Sequence, residues 1–100
     1  MHQYTIHASV QVIPLSQDRH PYEWVDEAIG VIQRSGIVYQ VGAFGTILEG
    51  SYAEVMALIQ EINEYLYQKG CPEWINQLQI QIRSGGPTTA EEKTAKYAPF

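Results

Sequence analysis

Two stretches carry the side chains best suited to recognition. In "YTIHASVQVIPL", Thr5, His7, Ser9 and Gln11 alternate with Ile6, Ala8, Val10 and Val12. In "QLQIQIRSGG", Gln77, Gln79, Gln81 and Arg83 alternate with Leu78, Ile80 and Ile82. Successive side chains of a strand point to opposite sides of a sheet, so each stretch predicts one apolar face and one face of hydroxyls and amides. Those groups donate and accept hydrogen bonds without carrying charge. They tolerate burial when each finds a partner, whereas a face meant for water would more often show Lys and Glu. The chemistry they suit is noncovalent: a surface covered by another subunit, partly enclosing a small-molecule pocket.

Nothing comparable points to catalysis. His2, His7 and His20 are far apart, with no pair at helical metal-ligand spacing. His7 and Glu49 could approach a metal together, but a lone strand histidine is more commonly a hydrogen-bonded polar residue. The single cysteine, Cys71, allows neither an internal disulfide nor a cysteine metal cluster, and it reads as a small apolar residue near a helix end. "VGAFGTILEG" has glycines, but not at phosphate-loop spacing, and it leads into a strand. "PLSQDRHP" offers Arg19 for acyl-phosphate hydrolysis, yet Asp18 stands beside it and no Gly-rich turn cradles an anion. The expectation is therefore no catalytic residue, no metal and no cofactor.

Composition narrows the classes further. One hundred residues with 45% hydrophobic content suit one globular domain. A net charge of −5, with six scattered basic residues, disfavours a nucleic-acid surface, which needs clustered Lys and Arg. No apolar run is long enough to span a membrane, and "MHQYTIHASV" lacks the pattern of a secretory leader, so a cytoplasmic location is expected.

The elements that must position the polar face follow from the hydrophobic period. After the first strand, Pro14 and "SQDRHP" make a break. "PYEWVDEAIGVIQRSG" then places Val25, Ala28, Ile29 and Ile32 on one helical stripe, with Pro21 in the first turn and Gly36 to close it. Ile37 to Val41 and Phe44 to Glu49 read as two short strands joined through Gly42 and Ala43. Ser51 and Glu54 form a capping box for a second helix striped by Val55, Leu58, Ile59, Ile62 and Leu66, which Gly70 and Pro72 end. The glutamine strand follows. Thr88 or Thr89 can then cap a short C-terminal helix.

Strand, helix, strand, strand, helix, strand predicts an α+β, ferredoxin-like βαββαβ domain over residues 1–86, with residues 87–100 as a helical tail packed on it or on a neighbouring subunit. Right-handed crossovers place strands one and three at the centre of a four-stranded antiparallel sheet, with both helices on one face. Strands one and four then adjoin, and their polar side chains merge on the helix-free face. Tyr39, Thr46 and Glu49 are the candidates to join them from strands two and three. Phe44 and Trp74 are expected to pack on the helix side. The alternative is a structural or regulatory interaction module that docks a subunit and no small molecule.

The segments "ASVQVIPL", "SGIVYQVGAFGTILEG" and "GPTTAEEKTAKY" resemble the small single-domain thiamine-binding protein family, whose relatives include tandem-domain proteins that bind thiamine or its hydroxymethylpyrimidine half. The most specific part runs from Tyr39 to Gly50; Phe44 stands where the family often has methionine. The resemblance implies a ferredoxin-like fold, a homodimer or dimer-of-dimers (a homotetramer) with sheets facing inward, and a ligand near the sheet and subunit interface. It implies Ser9, Thr46 and Glu49 as leading ligand contacts, with Tyr39 and Gln11 next. The aminopyrimidine edge would meet Ser9, Gln11 and Thr46, while the thiazolium charge would meet Glu49 and the ring of Tyr39. Glu49 also lies just ahead of the Ser51 cap, where a carboxylate would favour the helix dipole.

Overall fold

The computed structural model describes residues 3–85. The expected C-terminal helix and the tail at 87–100 lie outside them. The elements are β1 (Ile6–Pro14), α1 (Pro21–Ser35), β2 (Val38–Gly42), β3 (Gly45–Gly50), α2 (Tyr52–Gln68) and β4 (Trp74–Gln81). The strands form one antiparallel sheet in the order β2-β3-β1-β4, so β1 and β3 are central and β4 adjoins β1 as expected. The fold is ferredoxin-like, with Ile6, Ala8, Val10 and Leu48 of the sheet buried beneath Ala28, Ile32, Val55 and Ile62 of the helices.

Local chemistry sets the helix ends. The ring nitrogen Nδ1 of His20 accepts the Tyr22 backbone N–H at 3.2 Å, and Pro21 occupies the first turn, where its missing N–H costs nothing. Asp18 accepts a hydrogen bond from Trp24 Nε1 at 3.2 Å, and the Arg19 guanidinium lies 4.0 Å from the Trp24 ring centroid. These contacts fix the start of α1 over the end of β1. Gly36 closes the helix at φ 82°. The α2 capping box is complete: Glu54 N–H donates to Ser51 Oγ at 3.2 Å, and Ser51 N–H donates to Glu54 Oε1 at 3.1 Å. The Ser51 N–H and, secondarily, the Ser51 hydroxyl hold the Glu54 carboxyl below its ordinary value, because a hydrogen bond donated to a carboxylate favours its charged form.

Three local expectations change. The β2–β3 turn is Ala43-Phe44, flanked by Gly42 and Gly45, so Phe44 sits at the hairpin tip, 88% exposed, instead of packing on the helix side. Gly45 has φ 138°, and a Cβ there would come 3.0 Å from the Val10 carbonyl oxygen; the hairpin needs a glycine to lie this close to β1. Strand β4 ends at Gln81, which leaves Ile82 exposed beyond the core. On α1, Trp24 and Val31 enter the core with Ala28 and Ile32, while Val25 and Ile29 remain half-buried. Trp74 does face the helices, and its Nε1 donates to Asn63 Oδ1 at 3.0 Å. Cys71 is buried at the end of α2, and burial pushes its thiol up from the usual range.

Candidate functional site

Strand register sorts the candidate residues. In an antiparallel sheet, directly opposed residues share a face. His7 opposes Glu49 on β3 and Gln81 on β4; Ser9 opposes Ile47 and Gln79; Gln11 opposes Gln77. Glu49 and Ile47 in turn oppose Val38 and Gln40 of β2. These side chains make the helix-free face. Thr46 opposes Val10 and Val41, and Tyr39 opposes Leu48, so both belong to the opposite, helix-covered face. The structure therefore unites Ser9, Gln11 and Glu49 and separates them from Thr46 and Tyr39. This corrects the single surface read from the sequence. Thr46 and Glu49 are three positions apart, and a regular strand cannot put such a pair on one side.

The helix-free face holds one charged side chain from the strands, Glu49, and it is already engaged. His7 Nε2 lies 3.1 Å from Glu49 Oε1, with the His7 side chain almost wholly buried and Glu49 one-third exposed. The carboxylate thus turns to His7. The role at the start of α2 belongs to Glu54. The other imidazole nitrogen, Nδ1, is buried with no partner among the described residues. Ser9, Gln11, Gln77, Gln79 and Gln81 make no side-chain hydrogen bond to another described residue. A broad hollow of about 490 Å³ runs over His7, Ser9, Ile47, Gln79 and Gln81. Among the described residues no group of three or more metal-ligating side chains converges.

The helix-covered face contains a different feature, a cleft of about 150 Å³ between α1 and the β2–β3 hairpin. Its walls are apolar: Val10 and Val12 from β1, Val25, Ala28 and Ile29 from α1, and Val41 from β2. Thr46, 5% exposed, is its inner polar group, and its hydroxyl bonds to no described residue. Gln11 and the glycines at 42 and 45 border it, and Tyr22 stands at its edge. A dry apolar cavity of this size holds one six-membered ring. The arrangement can enclose a flat neutral ring and offer it one hydroxyl, which both donates and accepts. Tyr39 does not line it. Val25 and Ile29 were read as core from their stripe; their incomplete burial, invisible in the sequence, makes them walls.

A ferredoxin-like domain with a ring-sized cleft and a nearly chargeless open face is suited to a small-molecule-binding role, and comparison with known proteins identifies its family. The sequence profile described as "Thiamine-binding protein" matches residues 8–98. The chain belongs to the thiamine-binding protein family. It is 30% identical over 93 residues to a UPF0045 protein of Clostridium perfringens, covering 93% of this chain and 97% of that one. A Bacillus cereus structure described as a domain of unknown function, DUF77, superposes with a TM-score of 0.86 at 31% identity, covering 96% of this chain and 92% of that chain. A Thermotoga maritima structure, described as a candidate thiamine biosynthesis/salvage protein, gives a TM-score of 0.81 at 35% identity over 94% of this chain and 99% of that chain.

Proposed function

We propose that this protein binds thiamine or its hydroxymethylpyrimidine half without covalent chemistry, as a carrier, salvage or sensing protein of the cytoplasm. The pyrimidine ring enters the cleft between α1 and the hairpin. The observation that carries this reading is the match in size and polarity: room for one ring, apolar walls, and at its inner end Thr46, whose hydroxyl has no partner among the described residues. The aminopyrimidine offers an amine donor and ring-nitrogen acceptors along one edge, and the Thr46 hydroxyl, which donates and accepts, can meet one of them. Family membership and the salvage description of the Thermotoga maritima relative support the same ligand class. Among the described residues no helix is long and apolar enough to cross a membrane.

The helix-free face has a second role in this proposal, as the contact with another copy of the chain in a dimer or dimer-of-dimers. Its glutamine amides have no side-chain partner among the described residues, its strands carry one charge that His7 already meets, and apolar Val38, Ile47 and Ile75 stand exposed among the polar groups. Hydrogen-bonding groups of this kind lose little on burial when they pair across an interface.

Isothermal titration calorimetry with thiamine tests the binding, and one site per chain or fewer is expected to saturate. Thr46→Val removes the cleft hydroxyl and weakens affinity by about 1–3 kcal/mol. Glu49→Gln, on the other face, leaves affinity within about twofold of the parent, well inside that scale. The reverse pattern would move the ligand to the helix-free face. No heat with either thiamine or the free pyrimidine, together with no rise in melting temperature, would leave a pure interaction module as the reading.

A further inference from the structure

The first turn of α1 holds an aromatic side chain that the core does not use. Tyr22 is 72% exposed, and its hydroxyl bonds to no described residue. Its position is nonetheless fixed. The His20 cap receives its backbone N–H, Pro21 precedes it in the helix, and the His20 ring centroid lies 5.0 Å from its own. At 3.6 residues per turn, Tyr22 continues the stripe of Val25 and Ile29, the walls of the cleft, and so stands at the cleft's outer lip.

The cleft's volume of about 150 Å³ accommodates one ring. Thiamine has two, joined by a single carbon, so a molecule with its pyrimidine inside must leave its thiazolium at the entrance. That second ring carries a fixed positive charge. A tyrosine face attracts such a cation through its quadrupole. Asp26, one turn further along α1, is exposed and belongs to neither ion pair found among the described residues. It lines a separate hollow with Arg19, Glu23 and Arg34, so the attraction at the lip rests on the Tyr22 ring.

We propose that Tyr22 is the platform for the cationic ring and makes the site prefer the two-ring vitamin to its free pyrimidine half. This rests on the ligand class proposed above. It adds a contact residue and a direction of selectivity.

Calorimetric titration of the parent protein, Tyr22→Ala and Tyr22→Phe with thiamine and, separately, with hydroxymethylpyrimidine tests it. Tyr22→Ala is expected to lose about tenfold in thiamine affinity and to hold the free pyrimidine within about twofold. Tyr22→Phe keeps the aromatic face and retains thiamine affinity within about twofold. Both variants should melt with the parent, since the side chain is largely outside the core. Equal losses for the two ligands in Tyr22→Ala would reduce Tyr22 to a wall of the cleft and overturn the proposal. Unchanged thiamine affinity in that variant would overturn it too. A parent protein that binds the free pyrimidine but not thiamine would defeat this inference while leaving the cleft's ligand class standing. Binding of neither would defeat both.

Discussion

The two sides of the sheet solve the same problem differently. Beneath the helices, apolar side chains from β1, β3 and β4 meet α1 and α2, and the layer is closed except beside the hairpin. There a cleft remains, with one hydroxyl in it. On the other side no element of the described chain covers the strands, and the polar groups are spread over a broad surface. An enclosed site gains its selectivity from shape, because a small apolar volume admits little else. An open sheet face can achieve enclosure only with a partner. Under the proposed function, small-molecule recognition falls to the covered side and assembly to the open one.

Filling the cleft is the harshest test of that division. Val25→Trp adds a large side chain to its wall and is expected to reduce thiamine affinity by at least about 100-fold, read by calorimetry, because the ring's space is gone. Its secondary structure and sedimentation should remain parental. If the variant still binds, the covered side is not the site.

A charge on the open side comes next. Ile47→Lys sets a cation beside Ser9 on the exposed face, and an interface formed by two copies would bring like charges together at a cost of several kcal/mol. Light scattering coupled to gel filtration should report dissociation to single chains, with thiamine affinity kept. Loss of affinity in step with dissociation would break the comparison, since it would make the site depend on both sides of the sheet.

The smallest effect concerns neither face and calibrates the others. Ser51→Ala removes the α2 cap and is expected to lower stability by about 1 kcal/mol in urea denaturation. The Glu54 carboxyl is held below its ordinary value by Ser51, so its contribution is present above the usual carboxylate range and is lost as the pH falls through the lowered value. Glu54→Gln should therefore flatten the acid limb of the stability profile. An unaltered limb would assign the acid sensitivity to other carboxyls.

Much of the fold was legible in the residues themselves. The alternation in "YTIHASVQV" and "QLQIQI" gave the two-faced strands, and Ser51 with Glu54 marked the start of α2 to the residue. The order of elements led to the correct strand arrangement. The candidate site was legible only in part. Ser9, Gln11 and Glu49 do share the helix-free face, and the residues of β1 and β4 align as expected. Thr46 and Tyr39 were placed on that face and stand on the other. The pairing of β1 with β3 decided this: Thr46 opposes Val10 and Glu49 opposes His7, and which residues of two strands distant in the chain oppose one another is set by tertiary register. The three-residue spacing of Thr46 and Glu49 was a usable warning. Tyr22 gave no such sign, because an aromatic residue in the first turn of an amphipathic helix looks like any other.

By itself the sequence determined which side chains share a strand face, where the helices begin and end, and the family resemblance, because those depend on local period, capping and motif. Tertiary structure alone decided that α1 and the hairpin leave a ring-sized gap with Thr46 inside it and that His7 meets Glu49 across two strands. Both arise from residues far apart in the chain, whose separation is set by packing of whole elements and by strand register, and neither quantity is written in any local stretch.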